Sequence, residues 1–473
     1  MSTSRIRSKL VHREQQEAVL TESSQPYRLT PYIVTFCEEN LTTIDIQNFL
    51  ETGLHIVRFR MTHITSSDKI KMLTMLQNAV KWCCEKYDVS SWPVATSVDV
   101  PNACIRTGYM REELKDDEIL LKMDSIVEVT ANLDYWDKCD DERIFIDDPY
   151  TIADIENGME VTINFGEIVL ICTERVDLKT IKCKVVREGI LESNQFVCIR
   201  GIKHVKPSLM KNDRNLLEFA KKYKIDIVTM NSVRYPITLI KVKDFFGKNT
   251  MPLIISTICE QEGLDNIDEI IEHSDAIILA REFLAYEILE KHHMTAIQLQ
   301  IGAKCKLLGK PFYISGNILD RTLLAGKISS CDLTDITNGV LQGAGFVLRT
   351  YNEPYNVLKA MNILESTCRS VEPLCNDMDF WRLCDTVEIP ANSAEGTIVA
   401  CALAAKMCKA KAIVLTTVTG RTAMKLAHLS PKAVILAITA NQTVARKLYL
   451  YRGITALVYD SNSCDLGMGG QVY

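Results

Sequence analysis

From Tyr32 onward, short apolar runs rich in β-branched residues alternate with longer stretches whose apolar positions recur at i, i+3 and i+4. The short runs suit buried strands and the longer stretches amphipathic helices, so the alternation predicts repeated βα units around a parallel sheet. The runs are YIVTF (32–36), HIVRFRM (55–61), VATSVDV (94–100), DIVTM (226–230), LIISTI (253–258), AIILA (276–280), FYIS (312–315) and GFVLR (345–349). Helical spacing fills the intervals, as in SSDKIKMLTMLQNAVKWCCEKY after the second run and NIDEIIEHS before the sixth. Eight strands separated by helices predict a closed (β/α)8 barrel.

The interval between the third and fourth runs is too long for one crossover helix. It alternates as strands do, in IVEVTANL, EVTINF, IVLICTERV, IKCKVV and QFVCIRGI. A small all-β domain, a β-barrel of its own, is therefore expected over 102–204, inserted into a TIM barrel formed by 28–101 and 205–375. After the eighth run the helix EPYNVLKAMNILESTCRSVE leads to a polar joint and a new αβ series with the strands AIVLTT, AVILAIT and ITALVY. This predicts an open α/β domain over 376–473. Residues 1–27 carry no sustained apolar period and read as a flexible arm. Arg5, Arg7 and Arg13 leave a targeting helix open, which Glu14 and Glu17 weaken.

Composition narrows the class without changing this layout. The 473 residues carry 54 Lys and Arg against 60 Asp and Glu, a net charge of −6, which argues against a general nucleic-acid binder. The absence of a long unbroken apolar stretch or a signal-peptide core leads to the expectation of a cytoplasmic protein with no membrane partner. The 17 cysteines form no CxxC pair and are expected to be reduced thiols, with a redox or zinc role for the adjacent Cys83 and Cys84 as the alternative.

Local sequence then adds a resemblance. GLHIVRFRMTH (53–63), SVDVPNACIRTG (97–108), DEIIEHSDAIILAR (268–281), GKPFYIS (309–315), DITNGVLQGA (335–344) and the run PKAVILAIT with NQTVARKLYLYRGI resemble, in order, segments of the pyruvate kinase family across all three predicted domains. The resemblance implies phosphoryl transfer from phosphoenolpyruvate to ADP, with magnesium and potassium as cofactors. It also implies assembly as a homo-oligomer, or as a hetero-oligomer with an active relative. Such chemistry brings two polyanions together, so it needs fixed positive charge, a bridging dication and carboxylates to hold it. By the resemblance, Arg58 and Arg106 contact phosphate, Thr62 and Asp99 help hold the monovalent cation, and His63 matches the family as well.

Other positions depart from the family. Thr257 stands where the catalytic lysine belongs, and Cys259 and Phe283 stand at the two metal carboxylates. Gly316 replaces a substrate-positioning threonine, Pro101 a lysine, Cys104 a glutamate and Asn164 an aspartate used around ADP. Glu282, one position before Phe283, is a possible metal rescue if its loop swings inward, since a strand neighbour faces away. A thiol is a poor magnesium ligand. Two arginines are gained: Arg60 beside the monovalent-cation position, a possible substitute for that cation, and Arg349 past the eighth strand. Counted against the two lost carboxylates as well as the lysine and the ions, they restore the net formal charge of the family's site, unless they turn into solvent. These changes predict catalytic impairment or inactivity, with a phospho-anion-binding or scaffolding role; the alternative is an active kinase with a rearranged metal site. LTTVTGRTA (415–423) resembles the family's sugar-bisphosphate loop with one residue extra, and the third domain is shorter than the family's, so that regulation is not expected here.

Overall fold

The computed structural model describes residues 27–459 apart from 37–40, 61–65, 102–103, 113–118, 203–208, 210, 248–250, 289, 350–352, 377 and 388–390. The N-terminal arm before Tyr27, Thr62 and His63 lie outside the described residues.

Three strands open the barrel: β1 (Tyr32–Phe36), β2 (Ile56–Phe59) and β3 (Ala95–Val100). The inserted segment follows with β4 (Ile119–Leu121), β5 (Ile126–Thr130), β6 (Arg143–Phe145), β7 (Glu160–Ile163), β8 (Ile168–Arg175), β9 (Thr180–Arg187), β10 (Gly189–Leu191) and β11 (Val197–Ile199). The chain then completes the barrel with β12 (Ile227–Met230), β13 (Leu253–Ile258), β14 (Ala276–Ala280), β15 (Phe312–Ser315) and β16 (Gly345–Leu348). The ring closes in the order β1-β16-β15-β14-β13-β12-β3-β2, every pair parallel.

The strand period of two sorts this ring into layers. Val34, Val57, Val98, Val228, Ile254, Ile277, Ile314 and Phe346 turn outward into the helix layer. Their neighbours Ile33, Ile56, Ala95, Ile227, Ile255, Ile278, Tyr313 and Val347 fill the interior in one apolar cluster that continues into the C-terminal domain. Tyr313 marks the join, its hydroxyl donating to the Leu450 carbonyl at 2.6 Å. Two residues further along, seven of the eight strands turn polar inside, with Thr35, Arg58, Ser97, Thr229, Thr257, Ser315 and Arg349 toward or just past the carboxyl ends, while β14 presents Ala280. One end of the barrel is therefore an apolar plug and the other a polar mouth.

The insertion is a six-stranded sheet, order β11-β7-β8-β9-β5-β6, with a β10-β4 ribbon, wrapped as a half-barrel over one core of Val127, Val129, Ile144, Ile163, Leu170 and Ile181 among others. It also holds a short helix, Pro149–Asp154, that the all-β reading does not predict; Asp148 caps it by accepting from Tyr150 N and Thr151 N. The C-terminal domain is an open parallel sheet of β17 (Ala412–Thr416), β18 (Val434–Thr439) and β19 (Ile454–Val458) with flanking helices.

Candidate functional site

The polar mouth has two unlike halves. On the β1–β3 side, Arg58 is half-buried and its Nε donates to Thr35 Oγ1, its register partner on β1, at 3.0 Å. Asp99, only 6% exposed, accepts from Asn231 Nδ2 at 2.9 Å just beyond β12. Arg106 lies at the root of the inserted sheet, bridged to Phe196. Its backbone NH donates to Asp147 Oδ1 at 2.8 Å and its Nη1 to Asn194 O at 3.0 Å, while its Nε is buried with no hydrogen-bond partner. Such a donor is costly to leave unmade and suits an incoming anion. Arg60 does not sit beside Asp99 as a cation substitute would: its side chain is exposed, and among the described residues only its backbone NH is engaged, by Phe36 O. Two positions past Arg58 strand alternation would bring the side chain back inward, but Arg60 follows the end of β2, where the pleat no longer holds it.

On the β13–β16 side the groups are buried and pack against one another. Thr257 and Cys259 are buried at the end of β13, the threonine hydroxyl without a hydrogen-bond partner. Burial, and then the neighbouring Cys104 thiol, push the Cys259 thiol well above its ordinary range. Phe283 enters an aromatic triad with Phe165 and Phe196 of the insertion, ring centroids 4.9 and 4.6 Å away and both edge-on. Glu282 takes the inward direction that the sequence left open. The strand ends at Ala280, the Arg281–Glu287 helix begins, and the Glu282 carboxylate turns inward, 8% exposed. Its Oε1 accepts from Ser315 Oγ at 3.1 Å and stands 2.6 Å from Arg349 Nη2, an ion pair by charge and distance rather than an aligned hydrogen bond.

Gly316 explains how that carboxylate fits. The residue has φ +87°, and a Cβ there would collide with Glu282 Oε2. A side chain at 316 and the inward Glu282 carboxylate therefore exclude each other. Arg349 also lies 5.6 Å over the Phe165 ring, joining the barrel mouth to the insertion. The same helix is tied to the insertion elsewhere: Arg200 Nε donates to Tyr286 O at 3.1 Å and the Cys198 thiol to Glu287 Oε1 at 3.0 Å.

The family models that match are the pyruvate kinase barrel domain, over residues 27–352, and the pyruvate kinase alpha/beta domain, over residues 395–469. The chain belongs to the pyruvate kinase family. Among similar curated proteins, pyruvate kinase 2 of Saccharomyces cerevisiae is 28% identical over 447 residues, covering 93% of this chain and 86% of that protein. Human pyruvate kinase PKLR is 26% identical over 438 residues, 91% and 75%. The Agaricus bisporus pyruvate kinase is 25% identical over 439 residues, 92% and 81%. No helix among the described residues is long and apolar enough to cross a membrane.

Pyruvate kinases generally use magnesium and potassium, and the residues at this mouth do not fit the dication. Magnesium takes hard oxygens in near-octahedral array. The positions that would face it offer a buried protonated thiol, a phenyl ring locked among aromatics, and a carboxylate already paired with a guanidinium. Among the described residues no three carboxylate, imidazole or thiol ligands converge here.

The sequence reading missed a buried carboxylate cluster beside this half. Glu260, 4% exposed, is pushed up to about 8 by burial, against the lowering effect of Arg234, whose Nε lies 3.7 Å away. Glu262 stands 3.7 Å from Arg234 Nη1, and Glu287 is likewise raised by burial. The signal was present as ICEQEG, but only ring closure shows that both glutamates face one arginine.

Proposed function

We propose that this pyruvate kinase homologue has lost phosphotransfer and serves as a phospho-anion-binding, scaffolding subunit in the cytoplasm, assembled with itself or with an active relative. The observation that carries this reading is the Glu282–Arg349 ion pair seated against Gly316, beside Phe283 in its aromatic triad. A permanently charged side chain holds the carboxylate there, so the positive charge cannot exchange or bridge two phosphates as a dication does. Without the lysine, the oxyanion stabilisation that dominates such catalysis is absent as well. Arg58 and Arg106 are the residues proposed to hold a phosphoenolpyruvate-like anion, and ADP is a possible second ligand through the insertion. Asp99, bonded to Asn231, is proposed as a structural remnant of the potassium position.

The competing reading is an active kinase with a rearranged metal site. Glu282 favours it in one respect, because its Oε2 is buried with no hydrogen-bond partner. A guanidinium against the other oxygen opposes it. Calorimetric titration of phosphoenolpyruvate with and without Mg²⁺ and K⁺ separates the two. The proposal expects weak binding that Mg²⁺ leaves unchanged and that Arg58→Met abolishes. Tightening of tenfold or more with Mg²⁺, about 1.4 kcal/mol, would refute it.

A further inference from the structure

We infer that Glu290, His292 and His293 form a surface site for a divalent transition-metal ion of the zinc class. The three residues lie between the Arg281–Glu287 helix and the Met294–Leu307 helix and include none of the mouth groups described above. One ligand atom from each comes within 4.8 Å of the others, and all three side chains are exposed. His292 Nε2 is already 3.1 Å from Glu290 Oε2, and the two imidazole rings stand 4.4 Å apart at 68°.

The backbone supplies the convergence. His293 N donates to Glu290 O at 3.0 Å, closing the one-turn 3-10 helix Lys291–His293 so that residues 290 and 293 share a face. His293 occupies the N-cap of the following helix yet makes no side-chain capping bond, so its ring nitrogens are not spent on the fold. Zinc bonds of about 2.0–2.2 Å to nitrogen and oxygen need ligand atoms roughly 3.4 Å apart, a contraction that exposed rotamers reach without moving the backbone. Two imidazoles and one carboxylate select zinc-like ions over magnesium or calcium, and exposure leaves a further position to water. An ion held there braces the junction behind the helix that carries Glu282 and Phe283. It neither replaces the missing magnesium ligands nor depends on the functional proposal above.

The test is Zn²⁺ competition between the full chain and a chromophoric chelator, repeated with His292→Ala/His293→Ala and with Glu290→Gln, the folds checked by circular dichroism. The expected result is one equivalent whose affinity falls at least about tenfold in the double variant and by a smaller factor in Glu290→Gln. Co²⁺ bound at that equivalent should show no thiolate charge-transfer band, which sets the site apart from the exposed Cys331, Cys401 and Cys408. Zn²⁺ uptake unchanged by the double variant, a thiolate band at that equivalent, or no binding by the unaltered chain would each overturn the inference.

Discussion

The two halves of the barrel mouth are built in opposite ways. Along β1–β3, Arg58 and Asp99 are each held, among the described residues, by one neutral neighbour, Thr35 or Asn231. Along β13–β16 the side chains pair with one another: Glu282 with Arg349, Gly316 leaving room for it, and Phe283 packing on Phe165 and Phe196. Random erosion would leave orphaned charges, which are expensive when buried. The second half instead sets its buried carboxylate against a guanidinium, although Glu282 Oε2 and Thr257 Oγ1 keep no hydrogen-bond partner, so the difference teaches that charge pairing dominates this side while on the other side Arg106 Nε is a buried donor without a partner.

Gly316→Thr attacks the charge-paired half most directly. It should expel the Glu282 carboxylate and strain a positive-φ backbone, costing roughly 4 kcal/mol in urea denaturation, with only partial recovery when Glu282→Gly is added, because the clash with the residue 282 backbone nitrogen and the φ strain persist. A double variant no more stable than the single would break the claim that the two side chains exclude each other.

The next effect is a pH dependence. Because the folded pKa of Glu260, about 8, lies above its unfolded value, the folded chain binds the extra proton and its stability falls as pH rises toward 8. Glu260→Gln should gain roughly 3 kcal/mol on the wild type between pH 5 and pH 8. Parallel stability curves for the two proteins would show that burial does not govern this carboxylate.

Arg349→Met should cost roughly 2–3 kcal/mol by leaving Glu282 buried without its partner, the arginine's partial exposure keeping the loss below that of a fully buried pair. On the β1–β3 half, Arg58→Met removes one hydrogen bond and should cost only about 1 kcal/mol in stability while abolishing anion binding. Equal destabilisation by the two substitutions would erase the contrast between the halves.

The barrel was legible because parallel strands covered on both faces read as unbroken apolar runs, and YIVTF, LIISTI, AIILA and FYIS match their strands residue for residue. Three-residue strands such as Ile119–Leu121 and Arg143–Phe145 escaped, since so short a segment carries no period. The Pro149–Asp154 helix was missed although Asp148 followed by proline is an N-terminal signal. At the site, each substitution could be read from the chain, but not their coupling. Glu282, Gly316 and Arg349 become neighbours only when β14, β15 and β16 lie side by side, and the inward turn of Glu282 comes from a strand ending at Ala280 rather than continuing past it.

The most direct test of this mouth is a coupled pyruvate assay of the unmodified chain with phosphoenolpyruvate, ADP, Mg²⁺ and K⁺. The account predicts no turnover above a protein-free control; sustained turnover in the ordinary enzyme range, about 1–10³ s⁻¹, would contradict it.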